Sequence, residues 1–464
     1  DIIYIPAGEF TWGEDRSYIN INKPVTLLGS GQGETIINIS TEAGGYTAGT
    51  IRLNADATVK DMTIQTSESG NSGTAFSTSV DGFRISGIEY INRTQKVTGY
   101  FAYVGSYGLI DNCDITGNTG NNELIFARGP SDSWQTEHTI GGADNLFIED
   151  CIFRGVGYVT DINSNGRAVV RYNKIYGPMK VDGHGKCTNS PARGVRHMEI
   201  YKNHWVYNES KTWPAIEFRG GTGVIYDNVA DVVGNGGYLQ LRDYAFVTGC
   251  ATFDGCLCPE DYPIDDQIGV GKDPKVAASH PLYLWNNKKN GEEMPITDYI
   301  GTHCFEACGE EFTLDDFIKE GRDYYILEAP LEGYEPYPYP HPLQNGETTL
   351  QFEENEDISE PRIVIPDEVW DFGEIHEGDV ARETFMIQNT GNENLEVIAV
   401  KDICKCFNLL SESVIIPPGE EREIEIVYDS PGTTGYFYED IWVVSTDPIT
   451  PEIRVSIKGN ILEI

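Results

Sequence analysis

A short phrase of alternating apolar and polar residues recurs through the first half of the chain. Each copy is rich in Val, Ile, Tyr and Phe and alternates with a period of two, which is typical of β-strands. One copy is too short to bury its own apolar face, so the copies must stack on one another. The pattern therefore predicts a β-solenoid. The copies between residues 59 and 232 are VKDMTIQT, ISGIEYIN, IDNCDITG, IEDCIFRG, VRYNKIYG, IYKNHWVY and IYDNVADV.

Stacking these copies places one residue of each in a single column, which we call the ladder column. The steps between its members are 26, 25, 38, 22, 30 and 25 residues. The steps of 38 and 30 residues predict coils that carry long loops, and loops on a rigid scaffold commonly carry function. The members of the ladder column are Met62, Ile88, Cys113, Cys151, Asn173, Asn203 and Asn228.

Two early segments, DIIYIPAGEFTW and VTLLGSGQGETIINI, resemble the opening of right-handed parallel β-helix proteins of the pectate-lyase-like class. The ladder column resembles the internal asparagine ladder of that class, in which side-chain amides bond along the coil axis. Later segments, among them VDGHGKCTNSPARGVRHMEIYKN and AIEFRGGTGVIYDN, resemble a poorly characterised branch of it. The resemblance covers residues 1–345 and implies the fold. It leaves function open, because the class includes lyases, glycoside hydrolases, adhesins and structural proteins.

The texture of the sequence changes near residue 345. Residues 346–361 are polar and acidic, which predicts a linker. Residues 362–464 contain short strand patterns separated by turn signals, which predicts an antiparallel β-sandwich of immunoglobulin type. The segments DFGEIHEGD, NTGNENL and IPPGEE resemble a bacterial immunoglobulin-like domain of unknown function. The predicted fold class is therefore all-β, a right-handed parallel β-helix followed by an immunoglobulin-like sandwich.

The charge of the chain bears on its partners. The formal net charge is −40, from 73 acidic and 33 basic residues. This charge argues against nucleic acid or an anionic membrane as a direct partner. It is explained most simply by solubility, although an acidic surface can also recruit calcium. No run of 18 apolar residues is present, so we expect no membrane-spanning helix. The predicted location is secreted, extracellular or on a bacterial cell surface.

Ten cysteines are present, and disulfides are the default expectation for an exported protein. Five of them lie between residues 250 and 308, which predicts a loop-rich cap at residues 250–345 with undetermined pairing. A four-thiolate zinc site is a weaker alternative, since the spacing departs from the usual C-x₂-C pairs. In the ladder column, Cys113 and Cys151 are expected as buried thiols. The others are Cys187, Cys250, Cys256, Cys258, Cys304, Cys308, Cys404 and Cys406.

Polar residues recur just upstream of the ladder positions, and in-register coils would gather them near one corner. Long insertions at 118–143 and 178–195 would wall that corner. A carbohydrate cleft needs aromatic faces, arginines and acid–base groups, and this set contains all three. The upstream residues are Arg128, Asp161, Asp182, His184, Arg219 and Arg242, and the insertions with their flanks add Trp134, His138, Arg193, Arg196 and His197.

Three mechanisms fit these residues. In a lyase acting on uronic-acid polymers, Arg219 or Arg242 would be the base, and Asp161 with Asp182 would hold calcium. A hydrolase would need two carboxylates, which Asp161, Asp182 and Glu217 could supply. However, no Asp-Asp or Gly-Asp-Asp motif accompanies them. In a protein without catalysis, His184 and Arg219 would instead bond loop carbonyls and ladder ends.

Two function classes follow. The first is an extracellular or cell-surface protein that binds polysaccharide, with lyase-type cleavage as its open question. In that reading Arg128, Trp134, His138, Arg193 and Arg196 contact the substrate. The second is a non-catalytic structural or interaction protein of a surface layer, appendage or filament. Such a protein would bind other surface proteins or form a homo-oligomer or fibre through its coil ends or its immunoglobulin-like domain.

Overall fold

The structure is a computed structural model that divides into two compact units, Asp1–Gln351 and Phe352–Ile464. Its described residues contain no α-helix. It describes the whole chain except residues 13–17, 40–48, 67–73, 94–99, 118–121, 187–192, 209–211, 243–261, 264–265, 274–275, 277, 300–310, 312, 345–360, 366–368, 402–406, 410–412, 430–433, 448–451 and 463–464.

The first unit is a parallel β-helix, which confirms the predicted all-β solenoid. Each coil passes in turn through three parallel sheets, which we call sheets A, B and C. Sheet A contains Ile2–Tyr4, Thr26–Leu28, the first parts of Thr58–Thr66 and Phe83–Ile91, Gly108–Asp111, Leu146–Glu149, Arg167–Arg171, His197–Tyr201, Thr222–Tyr226, Leu282–Trp285 and Tyr324–Ile326.

Sheet B follows sheet A in every coil after a sharp turn, and sheet C follows sheet B. Sheet B contains Gly8–Trp12, Thr35–Ile39, the second parts of Thr58–Thr66 and Phe83–Ile91, Asp114–Thr116, Ile152–Arg154, Lys174–Tyr176, His204–Tyr207, Val229–Val232, Lys288–Lys289 and the antiparallel Glu292–Glu293. Sheet C contains Ile19–Ile21, Ile51–Leu53, Phe76–Thr78, Ala102–Val104, Asn122–Ala127, Gly157–Ile162, Met179–Gly183, Ile216–Phe218, Leu239–Arg242 and Ile296–Tyr299.

The turn from sheet A to sheet B has the same backbone in coil after coil. One residue there adopts a positive φ of 48–60°, as in Asp61, Asp150 and Asn286. A single left-handed residue redirects the chain within one step, and Asp and Asn tolerate that conformation better than most residues. The next residue belongs to the ladder column and points into the core. The turn therefore fixes which residue of each coil faces inward.

The asparagine ladder predicted from the sequence is present. Asn173 Nδ2 donates to Asn203 Oδ1 at 2.9 Å, and Asn203 Nδ2 donates to Asn228 Oδ1 at 3.1 Å. The ladder continues to Asn287, which accepts from Asn228 at 2.8 Å and which the sequence analysis did not include. Each amide also donates to backbone carbonyls, as Asn203 does to the carbonyl of Val170. The buried polar groups of the coil interior thus satisfy one another.

Residues 327–344, which we call the strap, run back along the outer face of sheet A. The strap begins where Leu327 N donates to Leu284 O at 2.7 Å, and it reaches Arg84, whose Nη1 donates to Leu343 O at 3.2 Å. Its tyrosines and leucines pack on an apolar stripe of sheet A that includes Phe147 and Trp285. The strap therefore covers sheet A over most of the coils.

Buried ion pairs lie beneath the strap and are completed by it. Arg171 Nε donates to Glu149 Oε2 at 2.6 Å, and both side chains are fully buried. The guanidinium of Arg171 also donates to the carbonyls of Tyr337 and Pro338. The backbone N–H of His341 donates to Glu149 Oε1 at 2.7 Å. Since a buried ion pair is tolerated only when its remaining hydrogen bonds are made, the strap and the pair depend on each other.

The second unit contains two β-sheets around one apolar core, as the predicted sandwich requires. One pairing differs from an antiparallel sandwich, because Val369–His376 runs parallel to Glu452–Leu462. The immunoglobulin-like subtype stays a prediction. One sheet contains Ile363–Val364, Val380–Asn389, Glu421–Asp429 and Phe407–Leu409, and the other contains Val369–His376, Glu452–Leu462, Gly435–Ser445, Leu395–Lys401 and Val414–Ile416.

Two of the ten cysteines lie among the described residues. Cys113 and Cys151 are buried free thiols in the ladder column, as predicted. The remaining eight cysteines lie outside the described residues. The predicted acidic linker and the cysteine-rich part of the predicted cap lie largely outside them as well. Within the described residues, no helix has the length and apolarity needed to cross a membrane.

We predict that Asn203→Leu lowers the stability of the first unit by about 1–3 kcal/mol. The substitution leaves Asn173 and the carbonyls of Val170 and Tyr201 without their buried partner. Thermal denaturation of the full chain measures the effect. Asn54→Leu, at an exposed asparagine of the same unit, is the control and should change the midpoint little. An unchanged midpoint for Asn203→Leu would contradict the ladder's role.

We also predict a pH-dependent contribution from Asp150, which accepts from Tyr339 of the strap. Burial, with help from Glu149, raises the pKa of Asp150 to about 7. The folded state therefore holds a proton that the unfolded state releases near pH 4, and stability falls as pH rises between those values, by about 1.4 kcal/mol per pH unit. Asp150→Asn should remove this slope.

Denaturation of Asp150→Asn and of the parent protein between pH 4.5 and pH 8 tests this prediction. The variant's stability relative to the parent should rise with pH. Asp61→Asn is the matched control, because Asp61 has the same left-handed turn conformation and a half-exposed carboxyl. If the free energies of unfolding of Asp150→Asn and of the parent differ by a constant amount across that range, the predicted contribution of Asp150 is wrong.

Candidate functional site

The outer face of sheet C carries a row of acidic side chains on consecutive coils. Asp161 pairs in register with Asp182, and Asp182 pairs with Glu217. Parallel strands lie about 4.8 Å apart, so the row follows the coil axis closely. The flanking residues Ile162 and Val181 point inward and are fully buried in the core. The period of two thus turns the acids of these strands to the outside.

A bulge brings a second column beside the acidic row. The register between two neighbouring strands shifts after Tyr158, so that Tyr158 pairs with Lys180 while Asp161 pairs with Asp182. Residues 158–160 on one strand therefore lie opposite only Lys180 and Val181 on the next strand. Bulges commonly re-aim side chains beside functional sites. Here the bulge places the Tyr158 ring on the same face as the carboxylates, beside the Lys180 ammonium.

Basic side chains pair with the acidic row. Lys180 and Arg219 form close ion pairs with Glu217 and Asp182 respectively, and Lys180 Nζ also lies 4.0 Å from Asp182 Oδ1. Arg242 Nη1 donates to Glu217 Oε1 at 2.8 Å. Asp182 is 0% exposed and Glu217 is 1% exposed. Buried charges of both signs in one network hold each other in fixed positions.

The carboxyl groups of the row have opposite proton affinities. Burial, and then the charges of Asp182 and Glu123, raise the pKa of Asp161 well above its usual range. Burial alone would raise the pKa of Glu217 as well, but Arg219 and Lys180 outweigh it and lower that pKa to about 2. Carboxyl groups in one site whose pKa values are pushed apart suit acid–base chemistry.

Aromatic side chains lie at one end of the row and beside it. At the end, Phe126 pairs in register with Asp161, and Tyr103 pairs with Phe126 on the preceding coil. These two rings stack with centroids 5.3 Å apart, and Arg128 lies over both. Beside the row, Tyr158 and Trp213 meet edge to face at 5.9 Å. Lys180 Nζ lies 4.3 Å from the Tyr158 ring and 5.4 Å from that of Trp213. The row therefore has aromatic rings at one end and beside it, and aromatic rings are a common component of sugar-binding sites.

The structure brings together most of the upstream residues that the sequence analysis selected. Asp161, Asp182, Arg219 and Arg242 lie in or beside the row, and Arg128 lies on its aromatic flank. His184 follows the strand of Asp182, and its Nδ1 lies 2.7 Å from the carbonyl of Gly185. Burial, and then Arg219, lower the pKa of His184 to about 3, so this imidazole is neutral. Their catalytic and binding roles stay predictions.

The sequence analysis missed five members of this site: Tyr103, Phe126, Lys180, Tyr158 and Trp213. Lys180 could have been found, because it precedes Asp182 by two residues and so shares its face of the strand. Tyr158 could not, because the bulge breaks the period between it and Asp161. Trp213 follows residues 209–211, which lie outside the described residues, and no repeat marks its position.

The residues predicted from the insertions lie elsewhere, at the corner between sheets C and A. Trp134 is buried, and its Nε1 donates to Gly194 O at 3.1 Å. Arg193 stacks on the Trp134 ring at 4.2 Å and forms an ion pair with Asp266. Arg196 lies over the same ring at 4.9 Å. His138 meets His197 with ring centroids 3.9 Å apart. These residues form a group of their own around Trp134.

The expected calcium site at Asp161 and Asp182 has a poor donor set. Calcium takes six to eight oxygen ligands. Asp182 is instead ion-paired with Arg219 and lies near Lys180, so basic side chains already neutralise it. The high proton affinity of Asp161 also opposes a cation there. Calcium stays a prediction, and no step below depends on it.

Comparison with known proteins identifies the C-terminal domain. A family described as a protein of unknown function, DUF1573, matches residues 363–461. A DUF1573 domain therefore forms the C-terminal part of this chain. The match covers less than a quarter of the sequence and says nothing about the β-helix. No curated protein matches the chain.

Similar solved structures are distant. A Porphyromonas gingivalis W83 protein of unknown function is 19% identical over 24% of this chain and 51% of its own, so about half of that protein is covered (TM-score 0.20). PapD-like domain 7 of human CEP192 is 13% identical, covering 23% and 89% (TM-score 0.19). The A-module of Azotobacter vinelandii mannuronan C-5 epimerase AlgE4 is 13% identical, covering 65% and 90% (TM-score 0.31). Scores this low support no conclusion about function.

We predict that two acids of the row respond oppositely to loss of charge. Glu217→Gln should destabilise the protein by about 3–5 kcal/mol at pH 7, because Lys180 and Arg242 lose their buried counter-charge. Asp161→Asn should cost little or stabilise, because ionising Asp161 is unfavourable in the folded state. Urea denaturation at pH 7 measures both. Equal losses for the two variants would contradict the assigned charges.

The same assignment has a pH signature. The folded pKa of Glu217 lies below its unfolded value, so its stabilisation is present above about pH 4.3 and is lost as pH falls toward 2. The stability difference between the parent and Glu217→Gln should therefore shrink over that interval. A difference that stays constant down to pH 2 would show that Glu217 is not held as a carboxylate.

Proposed function

We propose that the β-helix binds a polysaccharide along the outer face of sheet C. The observation that carries this proposal is the in-register row of charged side chains with aromatic rings at its end and beside it. Sugar-binding sites combine ring faces for the apolar side of a pyranose with a few fixed polar groups for its hydroxyls. A row along the coil axis offers this combination over several coils and so suits a linear polymer.

The network also prepares the polar groups for binding. Lys180, Arg219 and Arg242 are held by their carboxylate partners before any ligand arrives, so little side-chain entropy is lost on binding. Arg128 is exposed beside the Tyr103 and Phe126 rings, where it can reach a hydroxyl or a carboxylate of a bound sugar. We propose a role in polymer contact for Arg128 and Trp213.

For proton transfer, the geometry favours Asp161 over Arg219. Burial would lower the pKa of Arg219, but Asp182 and Glu217 outweigh it and raise that pKa, so the guanidinium stays protonated. A general base must be able to accept a proton near the working pH. Asp161 Oδ1 is buried, and within the described part of the chain it has no hydrogen-bond partner. We therefore propose Asp161 as the group that would exchange a proton with a bound sugar.

The proposal is tested by measuring the binding of acidic and neutral polysaccharides to the full chain with isothermal titration calorimetry. Trp213→Ala should weaken binding about tenfold, because stacking on an aromatic ring is lost. Asp114→Asn is the matched control, since Asp114 forms a half-exposed ion pair with Arg154 on sheet B. It should bind as the parent does. Weakening by both variants alike would argue against a site on sheet C.

Cleavage is measured in the same samples by absorbance near 235 nm and by reducing ends. New absorbance with a uronate polymer, lost in Asp161→Asn but retained in Asp114→Asn, would establish a lyase that uses Asp161. Binding without either signal would support binding alone. Absence of binding to every polymer, together with open-ended assemblies by native mass measurement, would replace the proposal with a structural role at a cell surface.

A further inference from the structure

A buried guanidinium near the corner of sheets C and A forms no ion pair with any described residue. Arg196 directly precedes the sheet A strand His197–Tyr201 and is 0% exposed. Its Nε, Nη1 and Nη2 are buried and, among the described residues, have no hydrogen-bond partner. Its guanidinium lies over the face of Trp134 at 4.9 Å. The nearby acids are Asp266, which is ion-paired with Arg193, and Glu137, whose side chain is exposed. An unpaired charge in such a place is strongly unfavourable unless something satisfies it.

A second arginine lies next to it with a donor also left over. Arg167 pairs in register with His197 on the next coil. Its Nη2 donates to Ser133 O at 2.5 Å and to Thr136 Oγ1 at 2.7 Å, which fixes the side chain. Its Nε is buried and has no partner in the described part of the chain, and the same holds for Ser133 Oγ. Two cations therefore share one buried corner.

Two histidines complete the corner. His138 Nε2 and His197 Nδ1 are buried, and neither has a partner among the described residues. Burial, and then Arg196 and Arg167, lower the pKa of His197 well below its usual range, which reflects the positive potential there. His197 Nε2 lies 3.1 Å from Glu199 Oε1, so its other nitrogen is the one left over. We call Ser133, His138, Arg167, Arg196 and His197 the arginine corner.

We propose that the arginine corner binds a small oxyanion, a carboxylate, sulfate or phosphate group. The guanidinium of Arg196 presents donors in a planar fork that matches two oxygens of such a group. Arg167 Nε, Ser133 Oγ and His138 Nε2 add further donors around it. The neutral His197 donates from Nε2 to Glu199, so its Nδ1 is an acceptor and adds no donor. One anion would satisfy these donors and neutralise the buried charge. The proposal goes beyond polysaccharide binding on sheet C and does not depend on it.

A metal ion is the competing occupant. His138, His197 and Glu199 place ligand atoms within 4.8 Å of one another, as a metal site would. However, Arg167 and Arg196 adjoin this group and would repel a divalent cation. Glu199 already accepts from Gly141 N at 2.7 Å and from Tyr334 Oη at 2.6 Å. The surplus of unpartnered donors therefore favours an anion over a cation.

The test follows the thermal midpoint of the full chain during titration with sodium sulfate, sodium phosphate or sodium glucuronate. Ionic strength is held constant with sodium chloride, and concentrations stay in the low millimolar range to avoid general salt effects. The parent should show a saturable rise in midpoint with at least one of these anions. Arg154→Met, which removes a half-exposed arginine of sheet B, should show the same rise.

Arg196→Met keeps the apolar stem but removes the charge, and its midpoint should not respond to the anion. In anion-free buffer it should be at least as stable as the parent, because a buried unpaired charge has been removed. A merely structural arginine would give the opposite sign. If this variant does not fold, Arg196→Lys answers the question, since it keeps a cation without the fork and should need about tenfold more anion.

Two results would overturn the proposal: no saturable response of the parent to any of the anions, or a saturable response to zinc chloride that the sodium anions do not reproduce. A further titration, with acidic polymers and with the variant Trp213→Ala, distinguishes a free anion from an acidic group of a polymer bound on sheet C. A response to free anions that Trp213→Ala retains defines a site separate from sheet C. In that case, failure of polysaccharide binding would leave the arginine corner intact.

Discussion

The in-register stacking of the coils is the constraint on which the rest of this structure depends. From Asp61 onward, one left-handed residue at the turn from sheet A to sheet B sets which side chain of each coil enters the core. Because strand side chains alternate, a slip of one residue would exchange the buried and exposed sets of a whole coil. The asparagine ladder resists such a slip, since Asn173, Asn203 and Asn228 bond to the same atoms of each neighbouring coil. The register then aligns the acids of sheet C.

Sheets A and C of the β-helix differ in what covers their outer faces. Sheet A is covered by the strap, whose carbonyls and N–H groups complete buried ion pairs such as that of Arg171 with Glu149. Sheet C has buried charged groups that are paired with one another beside half-buried rings such as Tyr103 and Trp213. The exposed Arg128 beside this network is the part of sheet C that a polar ligand meets first.

The charged row and the arginine corner differ in how their charges are compensated. In the row, Asp182 and Glu217 are ion-paired with basic side chains, whereas the buried Asp161 lies near other acids, and the pKa values of Asp161 and Glu217 therefore shift in opposite directions. At the corner, Arg196 and Arg167 adjoin each other, and the buried acid nearest to Arg196, Asp266, is already ion-paired with Arg193. The corner is formed by loops of different coils, so its composition is set by tertiary packing and not by the repeat.

The sequence by itself determined the repeats, the ladder column through Asn228 and the alignment of Asp161 with Asp182, because these depend only on local periods of two and on coil length. Only the tertiary structure decided the course of the strap, whose Pro- and Tyr-rich residues have no period. It also separated Trp134 and Arg196 from the sheet C row. Loop destinations are set by contacts between residues far apart in the chain, and a local pattern contains no information about them.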